Sequence, residues 1–132
     1  MNPRTIIPTV LFSLVLLAIV ISANSGSLPG LLYNIYTIPY GDKAGHFILT
    51  GLLSLLVNLS LSCRKIRLAS RDFLLGSLLV GIVITIEEIT QVFFPTRNAS
   101  LTDLLASYLG IWLFGRLADW LSTRRKTPNS AY

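Results

Sequence analysis

Two adjacent carboxylic acids, Glu87 and Glu88, lie inside an apolar stretch that runs from residue 73 to residue 94. An ionisable group at membrane depth is energetically costly, so it normally faces a bundle interior or a water-filled cavity. If the stretch is helical, the side chain of Glu87 points about 100° away from that of Glu88. The face of Glu88 carries small or polar residues, namely Ser77, Gly81, Thr85 and Gln91. Glu88 is therefore the better candidate for a buried acid or base.

Two other segments carry side chains that could do chemistry, one near residue 42 and one from residue 97 to residue 107. The candidate acids and bases, and hence the candidate catalytic residues, are His46, Glu88 and Asp103. A phosphate or carboxylate could be held by basic and hydrogen-bonding side chains. These candidate binding residues are Asp42, Lys43, Gln91, Arg97 and Ser107.

Several of these residues also have a purely structural interpretation, which the sequence leaves open. Asp42 could cap a helix, and Ser100 with Asp103 forms an S-x-x-D pattern typical of a helix start. Lys43 and Arg97 could anchor helices at the membrane interface.

The histidine has a structural interpretation too, because His46 could be a hydrogen-bonded packing residue. The donor atoms of His46, Glu88 and Asp103 would suit several divalent ions, but their spacing matches no metal motif. The single cysteine, Cys63, offers neither a disulfide nor a pair of thiolate ligands. We therefore predict no metal and no cofactor.

The elements that position these residues follow from composition. The chain has 132 residues, of which 52% are hydrophobic and 13% are charged, whereas soluble domains carry about 25% charged residues. Four apolar stretches are about 20 residues long, the length that crosses the hydrocarbon core: residues 6–23, 43–62, 73–94 and 102–121. We predict an all-α polytopic membrane protein, a bundle of four transmembrane helices forming one domain over residues 1–121. Residues 122–132 would be a short, disordered cytoplasmic tail.

The basic residues predict the orientation. Nine of the 11 lysines and arginines would lie on one side of the membrane, and only Lys43 and Arg97 on the other. Because basic loops stay in the cytoplasm, both termini are expected there. Their position at the ends of apolar segments marks topology rather than a phosphate-binding surface, so no nucleic-acid partner is expected.

This topology predicts that the residues that could do chemistry lie at one depth in the membrane. The start of the second helix, the end of the third and the start of the fourth would all meet near the outer face. Helical periodicity adds packing faces: Thr50, Ser54 and Asn58 follow His46 at intervals of four, and Ser107 and Gly110 share a face with Asp103. We expect both faces to contact other helices, and Glu88 to pair with His46 or Arg97.

Three segments resemble, in order and spacing, the motifs of the VanZ-like family. Residues 41–47 are similar to its D-K-x-x-H opening, residues 88–97 to its E-x-x-Q…P-x-R segment, and residues 103–110 to its D-x-x-x-N-x-x-G motif. The matching positions are Asp42, Lys43, His46, Glu88, Gln91, Arg97 and Asp103. Ser107 departs from the pattern, since the family usually has asparagine there. The resemblance implies a bacterial cytoplasmic-membrane protein linked to the cell envelope and to resistance to the glycopeptide teicoplanin, with no settled reaction.

Three functions remain open at this point. The first is an envelope-related protein whose outward polar site binds or modifies an amphiphile or glycopeptide, so that catalysis is neither predicted nor excluded. The second is a non-catalytic scaffold or binding protein whose polar cluster locks the helices together. The third is a proton-coupled transporter, although four helices without an internal repeat leave little room for the alternating-access motion that transport needs.

Overall fold

A computed structural model of the chain describes residues 3–26, 30, 34, 41–94 and 100–126, without the side chains of residues 42, 125 and 126. The described elements are the helices α1 (Pro3–Asn24), α2 (Gly41–Ser60), α3 (Leu75–Thr90) and α4 (Leu101–Lys126), and the strands β1 (Lys65–Leu68) and β2 (Arg71–Leu74). A 3₁₀ turn, Gln91–Phe93, extends α3. The chain is mostly helical, as predicted, and α4 continues five residues into the segment predicted to be a tail.

Three of the described helices are long and apolar enough to cross a membrane: Pro3–Asn24, Lys43–Ser60 and Leu75–Phe93. α4 is longer, but it carries Asp103, Arg116 and Asp119 and is not among them. All four predicted spans are confirmed to be helical. Three of them are also confirmed to be long and apolar enough to cross a membrane. The crossing of α4 stays a prediction.

The helix α2 lies at the centre, in contact with α1, α3 and α4. Its polar face is buried, with Thr50 4% exposed and both Ser54 and Asn58 fully covered. Ser54 Oγ donates to the carbonyl oxygen of Ile111 at 3.1 Å, and Asn58 Nδ2 donates to Ser77 Oγ at 2.8 Å. The prediction that this face contacts other helices is confirmed, because each hydroxyl or amide finds a partner on α3 or α4.

Close backbone approach joins α2 to α4. A Cβ atom added to Gly110 would overlap the carbonyl oxygen of Phe47, and one added to Gly51 would overlap the ring of Phe114. The rings of Phe47 and Phe114 pack edge to face, with centroids 6.0 Å apart. Small residues thus let the two helices come together, as expected for Gly110.

The first helix lies at the edge of the bundle. The structure describes every residue of α1, and none of them is buried. Thr9 Oγ1 contacts Ser60 Oγ at 2.8 Å and donates to the carbonyl oxygen of Leu56 at 3.2 Å. Seven of its large apolar side chains are exposed, which suits contact with lipid tails.

The connection between α2 and α3 is an antiparallel hairpin, which corrects the prediction of an all-α chain. Lys65 pairs with Leu74 and Leu68 with Arg71. The two turn residues, Ala69 and Ser70, have φ of 50° and 67°, the left-handed values of a type I′ hairpin turn.

The predicted start of the third helix at Phe73 is also wrong, since α3 begins at Leu75. Phe73 instead pairs with Ile66 in the hairpin. The physical reason is a period of two: basic and apolar residues alternate from Lys65 to Leu68, which is typical of a strand.

Candidate functional site

The first turns of α2 and α4 bring four predicted site residues into contact. Lys43 Nζ lies 3.3 Å from Asp103 Oδ1, and His46 Nε2 lies 3.9 Å from Asp103 Oδ2. On its other side, His46 Nδ1 is 3.3 Å from Ser107 Oγ. Asp103 and Ser107 stand one turn apart on α4, so the imidazole bridges them. We call Lys43, His46, Asp103 and Ser107 the Asp103 cluster.

Exposure differs sharply within the Asp103 cluster. Ser107 is completely buried, and the side chain of Asp103 is 4% exposed. The side chain of Lys43 is 31% exposed and that of His46 is 18% exposed. The two basic groups therefore reach the surface, while the carboxylate that holds them does not.

A second group of polar side chains surrounds Glu88, which is 5% exposed. Gln91 Nε2 donates to Glu88 Oε2 at 3.1 Å and to Glu87 Oε2 at 2.9 Å. The backbone N–H of Ser100 donates to Glu88 Oε1 at 2.7 Å. We call Glu87, Glu88, Gln91 and Ser100 the Glu88 cluster. The prediction that Glu88 rather than Glu87 faces the interior is confirmed, because Glu87 is only half-buried.

Ser100 connects the two clusters. Its Oγ accepts a long hydrogen bond, 3.4 Å, from the backbone N–H of Asp103 and so caps α4. In a complete capping box, the carboxylate of Asp103 would bind the N–H of Ser100 in return. Glu88 takes that place, so the purely local interpretation of Asp103 is wrong and its carboxylate faces α2.

The structure brings together six of the eight predicted site residues, in two clusters rather than one. Among the contacts between described residues, none joins Glu88 to His46, whose carboxylate partner is Asp103 instead. Arg97 and the side chain of Asp42 lie outside the described residues. Sequence reasoning missed Ser100 as the link between clusters, and only its capping pattern marked it.

The Asp103 cluster is better suited to holding an anion than to nucleophilic attack. Ser107 Oγ has no surface exposure, so a substrate could not reach it. Lys43, whose side chain is 31% exposed, offers N–H donors at the surface, and the buried carboxylate keeps it in place. Both ring nitrogens of His46 face buried partners, Asp103 and Ser107. One oxygen, Asp103 Oδ1, accepts no hydrogen bond from the described residues, and it contacts Lys43 Nζ in the ion pair at 3.3 Å. No three His, Cys, Asp or Glu side chains of the described ranges form a group that could hold a metal.

These features define a small, mostly helical protein with three helices able to cross a membrane and a polar site at one end of the bundle. Compared with known proteins, the chain matches no family model, no curated protein and no solved structure.

Proposed function

We propose that this chain is a VanZ-like integral membrane protein of the bacterial cytoplasmic membrane. Both termini lie in the cytoplasm, α4 forms the fourth crossing, and the Asp103 cluster faces outward. Three apolar helices and the asymmetric distribution of basic residues support this placement. The spacing of residues 42–46, 88–97 and 103–110 supports the family.

The Asp103 cluster binds the phosphate or carboxylate of a cell-envelope amphiphile or glycopeptide. One observation carries this proposal: a buried carboxylate is shared by two basic side chains that are themselves partly exposed. Lys43 attracts the anion, and Asp103, which His46 contacts on its other oxygen, positions Lys43. The physiological outcome is a change in susceptibility to teicoplanin or to another envelope-directed antibiotic.

The test is complementation of a strain that lacks this protein. Lys43→Gln and Asp103→Asn remove one charge each from the cluster and should fail to restore the antibiotic phenotype. Lys43→Arg keeps the charge and should restore it at least in part. Arg64→Gln removes one charge from an exposed residue outside the cluster and should behave as wild type. Immunoblots of membrane fractions show whether each variant accumulates. If Lys43→Gln accumulates normally and restores the phenotype fully, the proposal is wrong.

A scaffold is the second candidate function, favoured by the hydrogen bond from the Ser100 N–H to Glu88. This contact ties α3 to the start of α4 and needs no ligand. Under the scaffold function, variants in both clusters would lose stability and phenotype together. Under the binding function, Lys43→Gln would lose the phenotype and keep the thermal stability of the wild-type protein.

A further inference from the structure

A groove of about 980 Å³ runs between α3 and α4, from the hairpin to Ile86 and Tyr108. Its floor contains Ser77, Gly81 and Ile111, and its far end is closed by a hydrogen bond between Thr85 Oγ1 and Tyr108 Oη. We call it the α3/α4 groove. It uses none of the residues of the two polar clusters.

The charges of the groove lie at its hairpin end. Lys65, Arg71 and Arg116 line that end together with Asp72 and Asp119. Lys65 Nζ forms an ion pair with Asp119 Oδ2 at 3.2 Å. Within the part of the chain that the structure describes, Arg71 and Arg116 have no ion-pair partner, and both are exposed. Beyond the Lys65–Asp119 pair, Arg71 and Arg116 exceed Asp72 by one positive charge, so this end of the groove favours an anion.

Beyond those arginines the groove becomes apolar. Ile82 and Ile86 of α3 and Trp112 of α4 line it and are each more than half exposed, at 57%, 57% and 59%. At a rise of about 1.5 Å per residue, the 11 steps from Leu75 to Ile86 cover about 17 Å. This length is close to half of the roughly 30 Å hydrocarbon core, which is one leaflet. The groove therefore has a charged entrance at headgroup level and an apolar channel of leaflet depth.

We propose that the α3/α4 groove binds one anionic phospholipid of the leaflet in which the hairpin lies. Arg71 and Arg116 hold the phosphate, since guanidinium groups match its geometry with paired hydrogen bonds. An acyl chain lies along Ile82, Ile86 and Trp112 and ends near Tyr108. Under the orientation proposed above, this is the cytoplasmic leaflet, whose anionic lipids attract basic residues next to the membrane. The inference needs only that the helices enter a bilayer, and not that the Asp103 cluster binds an amphiphile.

The experiment compares lipid retention by the purified full-length protein in detergent micelles. Native mass spectrometry measures the fraction of protein that carries phosphatidylglycerol or phosphatidylcholine after each lipid is added at equal concentration. Wild type should retain phosphatidylglycerol preferentially. Removing one basic residue at a membrane surface weakens anionic-lipid binding about fivefold, so Arg71→Gln with Arg116→Gln should largely abolish the preference.

The matched control is Arg64→Gln with Arg67→Gln, which removes two charges from the same connection at positions that do not line the groove. It should keep the preference. If both double variants lose it equally, general surface charge accounts for the binding and the proposed site is wrong.

A second variant tests the acyl chain. Gly81 lines the groove, and a Cβ atom added there would meet nothing within 4 Å, so we expect the side chain of Gly81→Leu to occupy groove space. It should reduce phosphatidylglycerol retention several-fold, while the midpoint temperature of thermal unfolding stays at least as high as that of the wild-type protein. If Gly81→Leu has no effect, or if inorganic phosphate at equal concentration displaces the lipid, the arginines form an anion site alone and the lipid proposal fails.

Discussion

Replacing Glu88 by alanine tests whether its buried carboxylate organises the bundle. The side chain accepts hydrogen bonds from the Ser100 N–H at 2.7 Å and from Gln91 Nε2 at 3.1 Å. A hydrogen bond to a charged group contributes about 1.5–3 kcal/mol, and an unsatisfied buried N–H costs about 1–3 kcal/mol. Gln91 keeps its hydrogen bonds to Glu87, so the group that loses its hydrogen-bond partner is mainly the backbone N–H of Ser100. We expect Glu88→Ala to lower the free energy of unfolding by about 2–4 kcal/mol.

Glu88→Gln separates hydrogen bonding from charge. Its amide oxygen could still accept from the Ser100 N–H, but its amide nitrogen would face Gln91 Nε2, a second donor. Gln91 would have to rotate its amide and give up its bonds to Glu87. We expect a smaller loss of stability, about 1 kcal/mol.

Unfolding in mixed micelles with increasing denaturing detergent, followed by circular dichroism, measures these differences. Glu87→Ala is the matched control, because Glu87 is the adjacent glutamate and is only half-buried. We expect Glu87→Ala to lower the free energy of unfolding by about 1 kcal/mol or less. If Glu88→Ala unfolds at the same detergent fraction as Glu87→Ala, the internal role assigned to Glu88 is wrong.

Two further predictions concern backbone geometry and use the same unfolding measurement. Gly110→Ala should destabilise the protein by about 1–3 kcal/mol, because its Cβ would overlap the carbonyl oxygen of Phe47. Gly81→Ala should instead raise the free energy of unfolding by about 0.5–1 kcal/mol, because its Cβ meets nothing and alanine has the higher helix propensity. Equal effects of the two changes would contradict the close approach of α2 and α4. Ser70→Gly should raise stability by about 0.5–1 kcal/mol, since φ at Ser70 is 67°, and a loss would contradict the type I′ turn.

Helical periodicity was sufficient to predict the packing faces. The interval of four on α2 correctly placed Ser54 and Asn58 against other helices, and the angle between Glu87 and Glu88 correctly chose the buried acid. Such predictions need only the geometry of one helix. They succeed because buried polar groups in an apolar helix must lie on the side where other helices supply partners.

The partner of each polar residue could not be predicted in the same way. Topology places the starts of α2 and α4 and the end of α3 at one depth, but it says nothing about their positions around the bundle axis. His46 therefore contacts Asp103 and not Glu88, although all three were expected at one level. The hairpin depends on a second pattern in the same connection: the basic residues that mark topology also alternate with apolar residues from Lys65 to Leu68, which is typical of a strand.

The exchange of capping partners at Ser100 explains why two acids are held so close to the start of α4. Glu88, from α3, binds the N–H that Asp103 would bind in a local capping box, and Asp103 is free to contact Lys43 and His46 of α2. Both carboxylates lie near the helix N-terminus, where the aligned peptide dipoles favour negative charge. The start of α4 is thereby fixed to α3 by one acid and to α2 by the other. Positioning of the basic pair by Asp103 therefore depends on Glu88, although Glu88 contacts neither of them.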